Sequence, residues 1–407
     1  MSLDPTGDAP ASAHHDLTDE TTRKSGDELL LQPGSHQLPT LSVVMPTLNE
    51  QEGVAECIDR IKTALEDLQV YGEIIVSDDS TDRTPQIAHE MGARVVHPDK
   101  RGYGYAYLYA LDRARGEVFA MGDADTTYDF TELPKLFRLV EDRDADMAIG
   151  SRLAGEIKPG AMPPLHRYIG NPLLTATLNL FYRVGVSDAH SGMRVFTREA
   201  YEQLDLKSPG MEFASEMIME AGARNLHIAE VPITYHPREG EAKLESFHDG
   251  WRHVRFMLIN APGYLFSVPG FLLTVAGAVV MFLSLSDVPV GGMILGVNSM
   301  IAASLFILVG AQVSCFGAFA TLVGEPIRKA ADPFSRLIQG LRLEHGGVVG
   351  IGMFSVGAVY LGYVILRWVQ SGTAVVPLSE YNIAALTLVV LGVQVVFTSF
   401  FLSFINE

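Results

Sequence analysis

The sequence has few cysteines and few basic residues, and both shortages exclude classes of protein. Only two of its 407 residues are cysteine, Cys57 and Cys315, and they lie far apart in unlike contexts. No disulfide framework or zinc cluster is therefore predicted. Lysine and arginine number 30 against 48 aspartate and glutamate residues, which gives a net charge of −18. Nucleic-acid binding is not expected, because it usually needs a basic footprint.

Charged residues are scarce in the second part of the chain. Residues 261–407 hold five basic and six acidic side chains, whereas residues 1–260 hold 25 and 42. An acidic part is thus joined to an apolar part, which excludes a simple soluble globule. The chain also has eight lysines against 22 arginines. Many carboxylates with little lysine suit a surface hydrated in concentrated salt, so we hypothesise a halophilic, archaeal source, with an ordinary acidic protein as the alternative.

The N-terminal residues 1–37 lack the apolar segment that a secretory signal requires. Their Asp, Ser, Thr and Pro content predicts a disordered acidic tail. We predict three further parts: a soluble domain at 38–245, an interfacial helix at 246–260 and a membrane domain at 261–407.

Four apolar stretches are each long enough to cross a bilayer. They cover residues 264–285, 299–323, 348–368 and 381–404. The connection between the second and third stretches contains Arg328, Lys329, Arg336 and Arg342, and the other two connections contain no Lys or Arg. The positive-inside bias predicts a multi-pass protein of the cell membrane with this connection, the soluble domain and both termini in the cytoplasm.

A helical pattern precedes the first apolar stretch. The apolar residues that recur at helical spacing are Phe247, Trp251, Val254 and Leu258. The polar residues His248, Arg252 and Arg255 fall on another face of the helix. This pattern predicts a helix lying in the membrane interface. The alternative is an ordinary amphipathic helix on the surface of the soluble domain.

Strand-like and helix-like runs alternate between residues 41 and 235. Strands are predicted at 41–45, 73–77, 94–96, 117–121 and 146–150, and helices at 52–68 and 85–91. This alternation predicts an α/β domain with a mostly parallel sheet that is covered on both faces. Ligands of such sheets bind beyond the C-terminal ends of the strands.

Polar side chains follow three of the predicted strands, within residues 46–50, 78–82 and 122–125. Dinucleotide dehydrogenases and P-loop ATPases are disfavoured, because neither glycine-rich fingerprint is present. Asp123 and Asp125 are the sharpest chemical signal. Two carboxylates at this spacing can share a divalent ion with water and substrate phosphates, and that ion can neutralise a diphosphate leaving group.

Several of these segments together resemble the signatures of family 2 inverting glycosyltransferases. The segments lie at 46–50, 77–84 and 123–125, with further similarity at 150–152, 188–194 and 238–244. Together, and in this order along the chain, the segments resemble the polyprenyl-phosphate hexose synthase branch of the family. This branch contains the dolichyl-phosphate mannose and glucose synthases. The resemblance covers about residues 40–260.

The resemblance implies a GT-A, Rossmann-like fold, a nucleotide-sugar donor, a dolichyl or other polyprenyl phosphate acceptor, and Mg²⁺ or Mn²⁺. It implies a nucleoside site formed by Pro46, Leu48, Glu50, Val76 and Asp78. It implies that Asp123 and Asp125 hold the metal-bound diphosphate, with Ala124 beside the donor. The residues that it implies for the donor or acceptor phosphates are Arg152, Arg194, Arg238 and Lys243. Guanidinium groups bind phosphate through two hydrogen bonds, and lysine supplies a point charge.

Three positions depart from the family pattern. Thr127 stands where Gln is frequent, Leu48 where Tyr is frequent, and Ala242 where Ser is frequent. We interpret the tyrosines at 103, 105, 107 and 109 mostly as packing residues, with Gly102 and Gly104 letting the backbone approach the donor.

Other functions and details stay open at this point. A processive polysaccharide synthase is the nearest alternative, but its Gln-x-x-Arg-Trp segment is missing. A non-catalytic membrane scaffold is the second alternative. UDP-glucose and GDP-mannose are both candidate donors, and a homo-oligomer is compatible with the sequence.

Overall fold

The computed structural model describes residues 23–238, 246–286, 288–323, 327, 343–372 and 379–406. The strands are β1 Leu41–Thr47, β2 Gly72–Asp78, β3 Arg94–Val96, β4 Val118–Met121, β5 Met147–Ile157, β6 Arg194–Thr197 and β7 Ile228–Tyr235. The helices around them are α1 Gly26–Leu29, α2 Val54–Leu68, α3 Thr84–Glu90, α4 Tyr103–Leu111, α5 Leu133–Glu141, α6 Asn171–Tyr182, α7 Arg198–Gln203, α8 Phe213–Ala223 and α9 Ser246–Ile259. The C-terminal helices are α10 Val268–Leu285, α11 Val297–Val323, α12 Leu343–Ser371 and α13 Glu380–Asn406.

The strands form one sheet in the order β3-β2-β1-β4-β6-β5-β7. Only β6 runs antiparallel to its neighbours β4 and β5. The predicted α/β, mostly parallel, doubly covered sheet is therefore confirmed. The strands β6 and β7 were not among the predicted ones. β6 has only four residues, and β7 contains Pro232, which an edge strand tolerates.

Apolar side chains pack on both faces of the sheet. One core lies under α1, α2, α3 and α5, and includes Val76 and Phe137. The other lies under α4, α6 and α8, and includes Tyr107 and Phe213. Burial on both faces explains why β1 and β2 read as continuous apolar runs rather than as alternating ones.

The N-terminal segment differs from the prediction. Residues 1–22 lie outside the described residues, but residues 26–29 form α1, and Leu29, Leu30 and Leu31 are buried. These three leucines make apolar contacts, which the overall acidic composition of residues 1–37 did not indicate. Gly26 lies so close to the main chain at Lys62 that a Cβ there would clash.

The helix α9 packs on the soluble domain. Met257 is fully buried in the core beside α6 and α8, and His253 is almost fully buried. Trp251 is 60% exposed, and Ile259 is exposed to a similar degree. Val254 and Leu258, which were predicted to share the membrane face with Trp251, instead pack partly against the core. The reason is the contact with α6, which selects a different face of the helix from the one that the apolar spacing alone selects.

The four C-terminal helices are long and apolar enough to cross a membrane, at Gly263–Leu285, Val297–Val323, His345–Ser371 and Glu380–Phe404. They agree with the four predicted stretches. Thr387 donates a hydrogen bond to Ser304 at 2.7 Å, and Gln394 donates to Gln312 at 3.2 Å. Because both residue numbers rise together, α11 and α13 run in the same direction. Such interhelical hydrogen bonds stabilise packing between apolar helices.

Candidate active site

The candidate site lies at one edge of the sheet. The C-terminal ends of β1, β2 and β4 meet there, because these strands are parallel and adjacent. The antiparallel strand β6 begins at the same edge, which brings Arg194 next to the end of β4. The sheet topology therefore gathers the loops at 46–50, 78–84, 122–127 and 188–194.

The first two loops hold each other in place. Asn49 has a positive φ of 54°, its N–H donates to the Ser80 hydroxyl at 2.7 Å, and its side-chain oxygen accepts from the Thr81 N–H at 2.9 Å. Thr47 donates to the Asp78 carboxylate at 2.7 Å, and Ser80 also donates to it. Asp78 is almost fully buried. Its carboxylate thus fixes the loop that was predicted to receive the nucleoside.

Asp123 is held by two tyrosines of α4. The Tyr103 hydroxyl donates to Asp123 Oδ1 at 2.9 Å, and the Tyr107 hydroxyl lies 3.5 Å from the same oxygen. A Cβ on Gly192 would come within 3.1 Å of Asp123 Oδ2, so the glycine lets the 188–194 loop approach this carboxylate. Burial, and then the nearby Asp125 charge, raise the pKa of Asp123 to about 7, against the lowering effect of the Tyr103 hydrogen bond.

Asp125 is oriented by hydrogen bonds from Thr127 on one side and by an ion pair with Arg238 on the other. Thr127 donates its hydroxyl to Asp125 Oδ1 at 2.6 Å and its N–H to the same oxygen at 3.1 Å. Arg238 lies 3.3 Å from Asp125 Oδ2 and also hydrogen-bonds to Glu50. Arg238 therefore bridges two acidic groups that are 75 positions apart in the sequence.

Arg152 makes a two-pronged ion pair with Asp188. Its Nε and Nη2 donate to the two carboxylate oxygens at 2.8 and 2.9 Å, and its N–H adds a third bond at 3.1 Å. Such paired geometry is the strongest form of a guanidinium–carboxylate contact. The expected phosphate contact of Arg152 would compete with this carboxylate.

Arg194 is fully buried and donates to three main-chain carbonyl groups. Its acceptors are Ser191 at 2.9 Å, Ala214 at 2.9 Å and Ala189 at 3.0 Å. Burial lowers the pKa of Arg194 to about 10. This geometry differs from the expected phosphate contact, because the guanidinium has no exposed surface and instead joins the 188–194 loop to the first turn of α8.

The remaining predicted site residues fall in different surroundings. Pro46 is half-buried, Leu48 is 47% exposed at the edge, and Ala124 is buried. The Val76 side chain lies in the core, because β2 continues for two more residues before the edge. Lys243 lies outside the described residues.

Sequence reasoning missed the contact that the tyrosine pair makes with Asp123. Tyr103 and Tyr107 are one helical turn apart, and this spacing was the available signal. A Cβ on Gly102 would lie 2.2 Å from the Pro209 carbonyl oxygen, and one on Gly104 equally close to that of Ser208. These glycines therefore admit the 208–213 segment, and their expected role of letting the backbone approach the donor stays a prediction.

The residues present fit a divalent cation. Among the described residues, no cluster of three His, Cys, Asp or Glu side chains forms a closed site. Asp123 and Asp125 can nevertheless supply oxygen ligands at one edge, and the pKa of Asp123 is raised by burial and then by the Asp125 charge, both of which a bound cation would offset. An open two-carboxylate site leaves ligand positions for water and substrate phosphates.

Comparisons with known proteins agree with this reading. Residues 42–205 match the glycosyl transferase family 2 model, and residues 321–406 match the family 2 C-terminal transmembrane region. The chain is 57% identical over 402 residues, 98% of this chain and 95% of its relative, to the low-salt glycan biosynthesis hexosyltransferase Agl6 of Haloferax volcanii.

Two further similarities are more distant. A dolichyl-phosphate hexose transferase of Haloferax volcanii is 34% identical over 52% of this chain and 89% of its own length. Glucosyl-3-phosphoglycerate synthase of Mycobacterium tuberculosis, solved with Mn²⁺ and UDP, has a TM-score of 0.44 and 24% identity over 55% of this chain and 80% of that chain.

Proposed function

Because this chain belongs to glycosyltransferase family 2, we propose that it transfers a hexose from a nucleotide sugar to a polyprenyl phosphate such as dolichyl phosphate. The family membership makes it a glycosyltransferase. The names of its relatives support a hexose as the transferred sugar and a role in glycan biosynthesis.

The proposal that the acceptor is a lipid phosphate is supported mainly by the distribution of exposed apolar side chains. In the described part of residues 23–262, nine large apolar side chains are exposed, and seven of them belong to α9 or to the segment around α6. Those seven are Leu165, Tyr168, Ile169, Leu173, Leu180, Trp251 and Ile259. An exposed apolar surface of this kind marks a contact with a membrane or a partner.

This apolar surface continues into the membrane helices. Phe181 of α6 stacks on Tyr264 with 4.6 Å between ring centroids, and the Tyr182 hydroxyl donates to the Asn260 carbonyl at 2.9 Å. Tyr264 lies at the start of the first membrane-spanning segment, and Asn260 lies just before it. The surface therefore favours a catalytic domain lying against lipid headgroups, where a lipid phosphate can reach the site.

The proposed reaction needs no protein base. A phosphate monoester has its second pKa near 6, so it is largely dianionic at neutral pH and can attack the anomeric carbon without losing a proton. Asp123 is held by Tyr103, and Arg238 is held by Glu50 and Asp125, which orients these groups before the substrate binds. An α-linked donor would give a β-linked lipid-phosphate sugar and a nucleoside diphosphate.

Asp123 and Asp125 would hold the Mg²⁺ or Mn²⁺. When bound, such an ion neutralises charge that develops on the diphosphate leaving group. Arg238 and Lys243 are the cations that we propose for the phosphates, and Arg152 would contribute only by sharing its ion pair with Asp188. The basic connection between the second and third spans, and the lack of Lys and Arg in the other two connections, support a cytoplasmic catalytic domain with both termini on that side.

The test is the transfer of radiolabelled hexose into lipid. Membranes containing the protein receive labelled UDP-glucose or GDP-mannose, dolichyl phosphate, a divalent cation and concentrated salt. We expect organic-extractable label from one donor, and its loss in Asp125→Asn. Asp67→Asn is the matched control, because Asp67 forms an exposed ion pair with Arg138 far from the site.

Three results would contradict the proposal. Label in a polymer that stays out of the organic phase would support a polysaccharide synthase. No product from either donor, with folded protein and added lipid, would favour a scaffold. Equal activity of Asp125→Asn and Asp67→Asn would contradict the proposed metal site at Asp125.

A further inference from the structure

Two histidines and one serine form a buried link beside the active site. The Ser215 hydroxyl of α8 hydrogen-bonds to His253 Nδ1 at 2.8 Å and to His190 Nε2 at 3.1 Å. The two imidazole rings meet edge to face with 5.0 Å between centroids. Ser215 is fully buried and His253 almost so. Three separate segments of the chain therefore converge on one hydroxyl group.

The His190 end of this link belongs to the active site. His190 lies in the loop that contains Asp188, the partner of Arg152, and Gly192, which lies against Asp123. His190 Nδ1 is buried and has no hydrogen-bond partner within the described residues. Ser215 is thus the hydrogen-bond anchor of this ring in that part of the chain.

The His253 end belongs to the membrane entry. His253 lies on α9, one turn before the fully buried Met257 and two turns before Asn260, whose carbonyl accepts from Tyr182. The chain enters the first membrane-spanning segment directly afterwards, at Gly263. A shift of α9 on the membrane surface would therefore move His253 and pull on the 188–194 loop.

The His190 ring of this link is uncharged. Burial, and then the neighbouring His253, lower the pKa of His190 to about 3, so its ring is neutral at working pH. The single hydroxyl proton of Ser215 can point to only one ring, so the other ring must donate to the serine oxygen. The hydrogen bonds are therefore directional and depend on all three residues.

We propose that His190, Ser215 and His253 are positioning residues that couple the seating of α9 at the membrane to the active-site loop at 188–194. The inference rests on the proposed function, since it assigns the link to transfer onto a membrane-embedded acceptor. It makes none of the three residues a catalytic group. The link holds the site at the height where a lipid phosphate arrives, whereas the nucleotide sugar arrives from water.

The first test compares two acceptors with Ser215→Ala. One acceptor is dolichyl phosphate in vesicles, and the other is citronellyl phosphate, which is short and water-soluble. We expect kcat/KM for the vesicle acceptor to fall about fivefold to tenfold, the factor for losing about one hydrogen bond. The value for the soluble acceptor and the KM for the nucleotide sugar should stay unchanged.

Matched variants separate positioning from lost stability. Ser42→Ala removes another fully buried hydroxyl, which bonds to Glu73 at 2.8 Å at the opposite edge of the sheet. It should lose stability without discriminating between the acceptors. His253→Asn keeps a polar group near the Nδ1 position and should recover most of the activity that His253→Ala loses.

A second measurement does not depend on transfer activity. Hydrogen–deuterium exchange of amides 186–194 should speed up in His253→Ala, although that residue lies on another element, and should stay unchanged in Ser42→Ala. Unchanged exchange in His253→Ala, or an equal loss with both acceptors in Ser215→Ala, overturns the coupling. If the wild-type protein transfers to neither acceptor, the proposed function itself is refuted. Faster exchange of amides 186–194 in His253→Ala would then still show that the link exists.

Discussion

At the residue scale, the candidate site is organised by side chains that hold other side chains. Tyr103 holds Asp123, Thr127 holds Asp125, and Arg238 bridges Asp125 to Glu50. Polar groups that are fixed before the substrate binds lose little freedom during the reaction. The position of Asp123 and Asp125 therefore depends on residues that lie outside the Asp-x-Asp motif and that the motif does not predict.

Removing the Tyr103 hydroxyl should weaken the metal site. In Tyr103→Phe, Asp123 loses the hydrogen bond that lowers its pKa, so the pKa rises further above about 7. A smaller fraction of Asp123 is then ionised at neutral pH, and cation binding must displace a proton. We expect the acidic limb of the kcat/KM profile to shift to higher pH and the activity at pH 7 to fall about tenfold, near the cost of one charge-assisted hydrogen bond.

Tyr105→Phe on the same helix is the control for that experiment. Tyr105 donates to Asp99 and lies away from Asp123. Its pH profile should match that of the wild type. An unchanged profile for Tyr103→Phe, measured with saturating nucleotide sugar and varied pH, would show that the tyrosine only packs.

The two arginines Arg194 and Arg238 should respond differently to replacement by lysine. Arg194→Lys leaves buried carbonyl groups without donors and should lower the stability by about 3 kcal/mol. Arg238 is partly exposed, so Arg238→Lys should keep the unfolding temperature but lose transfer activity. Thermal unfolding and transfer assays on both variants check this. The opposite pattern would contradict the assignment of Arg194 as a structural residue.

At the element scale, the site depends on tight packing between α4, α8 and the 208–213 segment. Glu216 of α8 accepts hydrogen bonds from the Lys207 and Ser208 N–H groups, which ties the segment to the helix. Tyr107 of α4 stacks on Phe213 with 5.5 Å between centroids. Gly102, just before α4, and Gly104, within it, make this approach possible, and so they set the position of the tyrosines that hold Asp123.

A methyl group on Gly104 should therefore disturb the site. Its Cβ would lie 2.2 Å from the Ser208 carbonyl oxygen, which belongs to the main chain and cannot rotate away. We expect Gly104→Ala to lower the stability by about 1–3 kcal/mol, the usual cost of overpacking, and to reduce activity in parallel. Thermal unfolding measures the stability, and the transfer assay measures the activity.

Gly250→Ala on α9 is the matched control. No described atom lies within 4 Å of a Cβ at that position, and alanine favours helix by about 1 kcal/mol over glycine. This variant should be as stable as the wild type or slightly more so. Equal losses in both variants would mean that the crowding at Gly104 has no special cost.

At the scale of the whole molecule, α9 connects the domain that carries the candidate site to the membrane helices. The described soluble part packs on α9, and the first membrane-spanning segment follows within a few residues. The chain is a multi-pass membrane protein, as its four apolar helices and its match to the family 2 transmembrane region indicate. Its orientation stays a prediction from the charges of the connections.

Cysteine labelling can test that orientation. In a background without Cys57 and Cys315, Arg336→Cys should react with a membrane-impermeant maleimide only in inside-out vesicles. Gly291→Cys should react only in right-side-out vesicles, because its connection contains no Lys or Arg. Labelling of both cysteines from the same side would contradict the predicted four-span topology, and the reverse pattern would invert it.

The sequence by itself determined the class of fold, the four membrane helices and the acidic pair Asp123 and Asp125. These features depend on local patterns, namely strand–helix alternation, the length of apolar runs and a motif that follows a buried strand. Thr127 was noticed only as a departure from a family pattern.

Only the tertiary structure decided which groups meet. The antiparallel β6 brings Arg194 to the edge and then buries it, and α6 selects the face of α9 that packs inward. Val76 and Arg152 likewise received their surroundings from neighbours far away in the sequence. Long-range pairing and burial depend on the summed packing of the whole chain, and no single segment encodes them.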